Sequence, residues 1–212
     1  TFELDITADK TIKVTARRFL CMNLDELAVI NYSVKAVKGH MRISFQPYID
    51  AGITNEDTNW DDKFWEVEDL QSTDHQGFIR SRTNKTNFYV CTYMQSELYK
   101  NGEHVQYADH FDKNDTVVRH KIATEISEGE TATLIKYAGY TSSLNYEHFE
   151  ILNAAKRVLH TAIEKGYTQL LQDQKEAWAQ IWSMADIAIE GDLKAQQGIR
   201  FNIFQLNQTY SG

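Results

Sequence analysis

Phe88-Tyr89-Val90-Cys91-Thr92-Tyr93-Met94 is apolar or aromatic on both parities: Phe88, Val90 and Met94 point one way, and Tyr89, Cys91 and Tyr93 the other. Successive side chains of a strand face opposite sides of its sheet, so this segment reads as a strand covered on both faces. Its neighbours are simpler. Ile12, Val14 and Ala16 alternate with Thr11, Lys13, Thr15 and Arg17, and Ala28, Ile30, Tyr32, Val34 and Ala36 hold one parity. Met41, Ile43 and Phe45 do the same until Pro47, which cannot donate to a ladder and marks an edge or strand end. Segments 116–127 and 130–140 read as two more strands joined through Glu128-Gly129-Glu130. Period-two alternation with short turns predicts a mainly β fold, a two-layer antiparallel β-sandwich. The doubly apolar strand belongs in a large sheet whose outer face meets another domain.

From about Asn145 the period becomes helical. Phe149, Leu152, Leu159 and Ile163 form one stripe, Gly166 is a C-terminal stop, and Thr168 is the N-cap of a following helix. Tyr167, Leu170, Leu171, Gln174, Trp178, Ile181 and Trp182 continue at i, i+3, i+4 spacing, with Trp178 and Trp182 one turn apart. Ile187 and Ile189 alternate briefly. Asp192 then caps a third helix whose stripe is Ile199, Ile203, Leu206 and Tyr210, widened by Phe204. So apolar a terminal helix needs a partner. With no initiator Met at Thr1, the chain is expected to be a piece of a longer protein.

Composition narrows the function. The 212 residues carry 22 Lys and Arg against 30 Asp and Glu, a net charge of −8, which repels nucleic-acid backbones and anionic membranes. No apolar run reaches the roughly 18–20 residues a membrane-spanning helix requires. Two cysteines, Cys21 and Cys91, make no disulfide scaffold and read as half-buried strand thiols in a reducing, cytoplasmic setting. HExxH, CxxC, GxSxG, GxGxxG and P-loop patterns are absent, so a metal site, nucleotide binding and serine hydrolysis have no support in the sequence.

One loop stands apart: Asn55-Glu56-Asp57-Thr58-Asn59-Trp60-Asp61-Asp62. Asp57, Asn59, Asp61 and Glu68 fall on calcium-loop positions, but Asp62 stands where that loop needs glycine. Two other readings stay open: a polar turn above Trp60, Phe64 and Trp65, or a sugar-facing loop in which amides and carboxylates meet hydroxyls and indoles stack on the ring. Glycosidic cleavage needs groups at a defined separation across the bond, and spacing along a sandwich names no such pair.

Two stretches carry a resemblance. Gln196-Gln197-Gly198-Ile199-Arg200-Phe201-Asn202-Ile203-Phe204-Gln205-Leu206-Asn207-Gln208-Thr209-Tyr210 resembles the opening helix of the catalytic barrel in the glycoside hydrolase family 65 phosphorylases. Ile53 to Trp60, continuing through Phe64-Trp65-Glu66-Val67, resembles a loop and strand of that family's N-terminal sandwich, and Arg18-Phe19-Leu20 with Glu26-Leu27-Ala28-Val29-Ile30 fits a strand pair of it. The resemblance implies a partial N-terminal β-sandwich (supersandwich) over 1–144, a helical linker over 145–191, and the first helix of a truncated (α/α)6 barrel over 192–212. It implies inverting phosphorolysis of a disaccharide, maltose being the expected substrate and kojibiose, nigerose or trehalose the alternatives, with inorganic phosphate as co-substrate and a homodimer as the full-length form. The family's catalytic glutamate and its sugar- and phosphate-binding residues belong to segments beyond Gly212, so none is carried over and this piece alone is expected to be inactive. Asn55, Glu56, Asp57, Trp60 and Trp65 are the expected substrate-proximal residues. A carbohydrate-binding sandwich or a structural, dimerisation module are the competing readings.

Overall fold

A computed structural model describes residues 1–54, 63–73, 75–108 and 110–209. The strands are β1 (Phe2–Thr7), β2 (Lys10–Leu20), β3 (Leu27–Lys38), β4 (Met41–Phe45), β5 (Tyr48–Asp50), β6 (Trp65–Thr73), β7 (Gln76–Thr83), β8 (Tyr89–Lys100), β9 (Glu103–Val105), β10 (His110–Lys113), β11 (Val117–Ile126) and β12 (Thr131–Ser142). Two helices follow, α1 (Ile151–Ala185) and α2 (Leu193–Thr209).

Among the described residues, eight strands form one sheet in the order β1-β2-β3-β12-β8-β7-β6, with β9 against β8, and four form a second, β10-β11-β4, with β5 against β11. Every pairing is antiparallel. The two-layer antiparallel sandwich read from the alternation is therefore the observed architecture. β11 and β12 follow one another in sequence yet lie in different sheets, and the turn at Glu128-Gly129-Glu130 carries the chain between layers.

The large sheet is covered on both faces. On one, Val14, Val34, Ala36, Leu98 and Leu134 meet Met41, Phe45, Ile122 and Ile126 of the small sheet. Ile79 and Met94 extend this layer onto Ile49 and Val118. On the other, Phe78, Cys91, Tyr93, Ile135 and Tyr137 pack against Ile151, Ala155, Leu159, Ala162 and Leu170 of α1. The outer cover of β8 is therefore the chain's own helix, where the sequence reading expected another domain. The β3 pattern now makes sense: Val34 and Ala36 face the small sheet, while Leu27 and Val29 on the opposite parity lie under α1.

The helix stripe also differs from expectation. Phe149 precedes α1 and is exposed, whereas the fully buried positions are Ile151, Ala154, Ala155, Leu159 and Ala162. Three alanines sit there because a helix lying flat on a sheet full of tyrosines needs small side chains at the closest approach. Leu206, expected on the buried stripe of α2, is exposed, and Ile203 alone of that helix's residues is buried. Ile187 and Ile189 form no strand. The cysteines are fully rather than half buried, and burial pushes the thiols up to about 11 for Cys21 and about 12 for Cys91.

Gly166 breaks α1, with φ 69° and ψ 165°. A break frees backbone donors that must find other acceptors. Beneath the break, the Tyr137 hydroxyl of the sheet donates to Glu97 Oε2 at 2.9 Å. Tyr167, next to the kink, packs on the cluster that holds Tyr137. Two further ties hold the helix. Met22 N–H donates to Gln174 Oε1 at 2.9 Å, and the Thr141 hydroxyl donates to the Ile151 carbonyl at 2.7 Å.

Lys136 of β12 is half-buried on the face toward the small sheet, its ammonium donating to the Tyr48 carbonyl and lying 5.9 Å from that ring. Burial pulls the amine down from 10.5 to about 8. Below pH 8 the group is charged in both folded and unfolded chains, and burying the charge costs stability. Between about 8 and 10.5 only the unfolded chain holds the proton, so stability rises with pH. Lys136→Met is expected to raise the urea midpoint at pH 7, with the gap to the wild type closing as pH approaches 10.5. A gap that stays constant across this range would contradict the burial cost.

Candidate functional site

Trp65 opens β6 at the rim of the large sheet, its ring edge-on to Phe88 at 6.3 Å. The approach to it is pinned to the β7–β8 turn. Asn84 N–H donates to the Phe64 carbonyl at 2.9 Å, and the Asn84 amide donates to the Lys63 carbonyl at 2.8 Å. Beside this turn lies an open cleft of about 510 Å³ lined by Lys63, Phe64, Thr83, Asn84, Lys85 and Thr86. Asn55, Glu56, Asp57 and Trp60 lie outside the described residues, as do Asn59 and Asp61 of the calcium-like spacing. Glu68, the twelfth position of that spacing, sits on β6 and, with Glu66, pairs with Arg82, at 3.7 and 2.9 Å. Among the described residues no group of three His, Cys, Asp or Glu side chains could hold a metal ion.

A second surface forms where the two helices meet. Trp178 stacks on Trp182 at 6.1 Å and on Phe204 of α2 at 5.0 Å. Asp192 caps α2 as its sequence position predicted, Oδ1 accepting the N–H groups of Lys194 and Ala195 at 3.0 Å each. Sequence reasoning missed what Gln196 and Arg200 do. Gln196 accepts the Ile189 N–H at 2.6 Å and donates to the Ile187 carbonyl at 2.8 Å, closing the connection between the helices. Arg200 grips Asp186 with two hydrogen bonds of 2.9 and 2.6 Å. The i, i+4 placement of Gln196 and Arg200 on one face was the available signal.

Between these helices and the end of β2 lies a cleft of about 480 Å³, its walls including Leu20, Met22, Gln174, Trp178, Phe204 and Asn207. Leu20, on its wall, is 70% exposed, and Leu206 (59%) and Phe201 (58%) are exposed elsewhere on α2. Apolar walls with a few amides suit a surface contact. General acid chemistry near neutral pH needs a carboxyl held protonated by its surroundings. Among the described residues, the carboxylates that are displaced move the other way: Asp9 through the Thr7 hydroxyl, Glu130 through the Ser127 N–H, Asp173 through Lys165, and Asp186 through Arg200.

Comparison with known proteins fits this arrangement. Residues 1–181 match the profile described as Glycosyl hydrolase family 65, N-terminal domain. Maltose phosphorylase of Bacillus subtilis (strain 168) is 31% identical over 204 residues, 96% of this chain and 26% of that protein. Alpha,alpha-trehalose phosphorylase of Thermoanaerobacter brockii is 26% identical over 208 residues, 94% of this chain and 26% of that protein. A solved structure described as a putative kojibiose phosphorylase from human microbiome superposes with a TM-score of 0.84 at 20% identity, covering 98% of this chain and 26% of that one. The chain thus spans about a quarter of the length of these relatives.

Proposed function

This chain belongs to glycosyl hydrolase family 65, to its N-terminal domain, and from that premise we propose that it is the non-catalytic N-terminal part of a disaccharide phosphorylase. The parent enzyme carries out inverting phosphorolysis of maltose, with kojibiose, nigerose or trehalose as the alternative substrates. One glutamic acid protonates the glycosidic oxygen while inorganic phosphate attacks the anomeric carbon from the opposite face, giving β-glucose 1-phosphate and glucose. Phosphate is already an anionic nucleophile, so no second carboxylate need act as base. The reaction needs no metal or organic cofactor. In this reading 1–144 is the sandwich, 145–191 the linker, and 192–212 the first helix of an (α/α)6 barrel. The full-length protein is a cytoplasmic homodimer, and Trp65 and the 55–60 segment stand near its substrate.

The observation that carries this reading is the match to maltose phosphorylase along 96% of the chain while only 26% of that protein is spanned. The test is an assay of the 212-residue chain, and of the full-length protein from its gene, with maltose and inorganic phosphate, followed by NMR of the anomeric protons. β-Glucose 1-phosphate is expected from the full-length protein and not from the chain alone. Sugar phosphate made by the isolated chain defeats the non-catalytic assignment. Free glucose without sugar phosphate from the full-length protein defeats the phosphorylase assignment.

A purely structural module is the second reading, favoured by the exposed Phe201 and Leu206 of α2. A sharp monomer in sedimentation that binds no hydrophobic dye counts against it.

A further inference from the structure

The face of the large sheet on which α1 packs is only partly covered. Beyond the helix, β2, β3 and the start of β12 expose a polar floor whose rows follow from register. Lys13 lies opposite Lys35, Thr15 opposite Ser33, and Arg17 opposite Asn31. Thr133 continues the middle row beyond Ser33. The floor and the Tyr167 side chain of α1 flank an open cleft of about 380 Å³.

Three properties of this cleft call for a ligand. First, Lys13 and Lys35 are exposed like charges directly opposite one another, an arrangement that costs stability in a sheet. With Arg17 they make a cationic patch on a chain of net charge −8, and none of the three forms an ion pair among the described residues. Glu3, opposite Lys13 on β1, is the acidic neighbour in the same row. Second, the middle row is a ladder of hydroxyls: Ser33 and Thr133 are hydrogen-bonded at 2.8 Å, Ser33 donates to the Asn31 amide oxygen at 3.1 Å, and Thr15 meets the Thr1 hydroxyl at 3.1 Å. Third, the Tyr167 hydroxyl is buried and has no hydrogen-bond partner among the described residues, a costly state that a bound polar group would relieve.

We propose that this cleft binds a sugar phosphate. The phosphate sits between Lys13 and Lys35, whose repulsion its charge removes. The sugar lies one row further along the strands, about 7 Å away, where its hydroxyls exchange hydrogen bonds with Thr15 and Ser33, the latter backed by Thr133, and its ring leans on Tyr167. Arg17 and Asn31 close the far end. The site uses none of the groups on which the phosphorylase reading stands, so either can fail without the other.

Calorimetric titration of the 212-residue chain at low salt, with α-glucose 1-phosphate, glucose and inorganic phosphate as separate arms, tests the proposal. α-Glucose 1-phosphate is expected to bind with a Kd of about 1 mM or tighter, inorganic phosphate at least roughly tenfold more weakly, and glucose without measurable heat. The double variant Lys13→Gln/Lys35→Gln is expected to melt no lower than the wild type, since it removes their repulsion, and to lose roughly tenfold or more in affinity, and added salt to weaken binding. Tyr167→Phe is expected to weaken the sugar phosphate while leaving inorganic phosphate unchanged. Three results overturn the proposal: no heat with the sugar phosphate, equal affinity for inorganic phosphate, or a double variant that binds as the wild type does.

Discussion

Gly139→Ala is expected to cost the domain about 3 kcal/mol or more, enough to unfold a large fraction of a marginal sandwich. Gly139 sits in β12, hydrogen-bonded between β3 and β8, with Leu27 on one side and Tyr93 on the other. A methyl group added there would lie 1.8 Å from the Glu26 carbonyl oxygen and 2.8 Å from the Tyr93 hydroxyl. Neither can step aside. The Glu26 carbonyl accepts the Tyr93 hydroxyl proton, and the Glu26 carboxylate is held by the Tyr146 hydroxyl at 2.9 Å. The turn before β3 is therefore clamped from above and below, and a single methylene must push backbone. The contrast is Gly198→Ala in α2, where an added Cβ meets nothing within 4 Å. It is expected to add about 1 kcal/mol to that helix, because alanine loses less backbone entropy than glycine. Urea midpoints read by far-UV circular dichroism measure both, and a Gly139→Ala midpoint equal to the wild type would contradict the close approach.

Leu159→Ala is expected to lower global stability by about 3 kcal/mol, within the usual range for a fully enclosed leucine. Leu159 is completely buried between α1 and the tyrosine-rich face of the large sheet. The value of this variant lies in what unfolds. If α1 were only a connector between domains, losing its grip would leave the sandwich untouched. As the third layer, it covers Phe78, Cys91, Tyr93 and Tyr137, and its release opens those side chains to water. One cooperative transition at lower urea is the expected result. Two separated transitions, with the strand signal unshifted, would return α1 to the status of a connector.

The candidate site was less legible than the fold. Trp65 could be named from its setting, yet its actual neighbour, Phe88, arrives from another hairpin, and the pinning of Phe64 by Asn84 depends on the β7–β8 turn. Lys13, Ser33, Thr133 and Tyr167 are scattered over more than 150 positions, and each alone is an ordinary surface or strand residue. Their meeting requires β12 to lie beside β3, a pairing that spans a hundred residues and leaves no mark on local periodicity.

Local pattern was sufficient wherever the deciding physics is local. The apolar residues on both parities of 88–94 report a strand covered on both faces, and the alternation in 28–36 picks out Val34 and Ala36 but not Val29 on the other parity. The change of period after Asn145 separates strands from helices. The positive φ of Gly166 and the side-chain cap of Asp192 are properties of single residues. The tertiary structure alone decided which strands pair, that β11 and β12 part into different sheets, and that α1 covers the outer face of β8. Those choices rest on the summed burial of side chains far apart in sequence. Hydrophobic attraction carries no address, so the partner of each apolar face is settled only when all of the faces compete for cover at once.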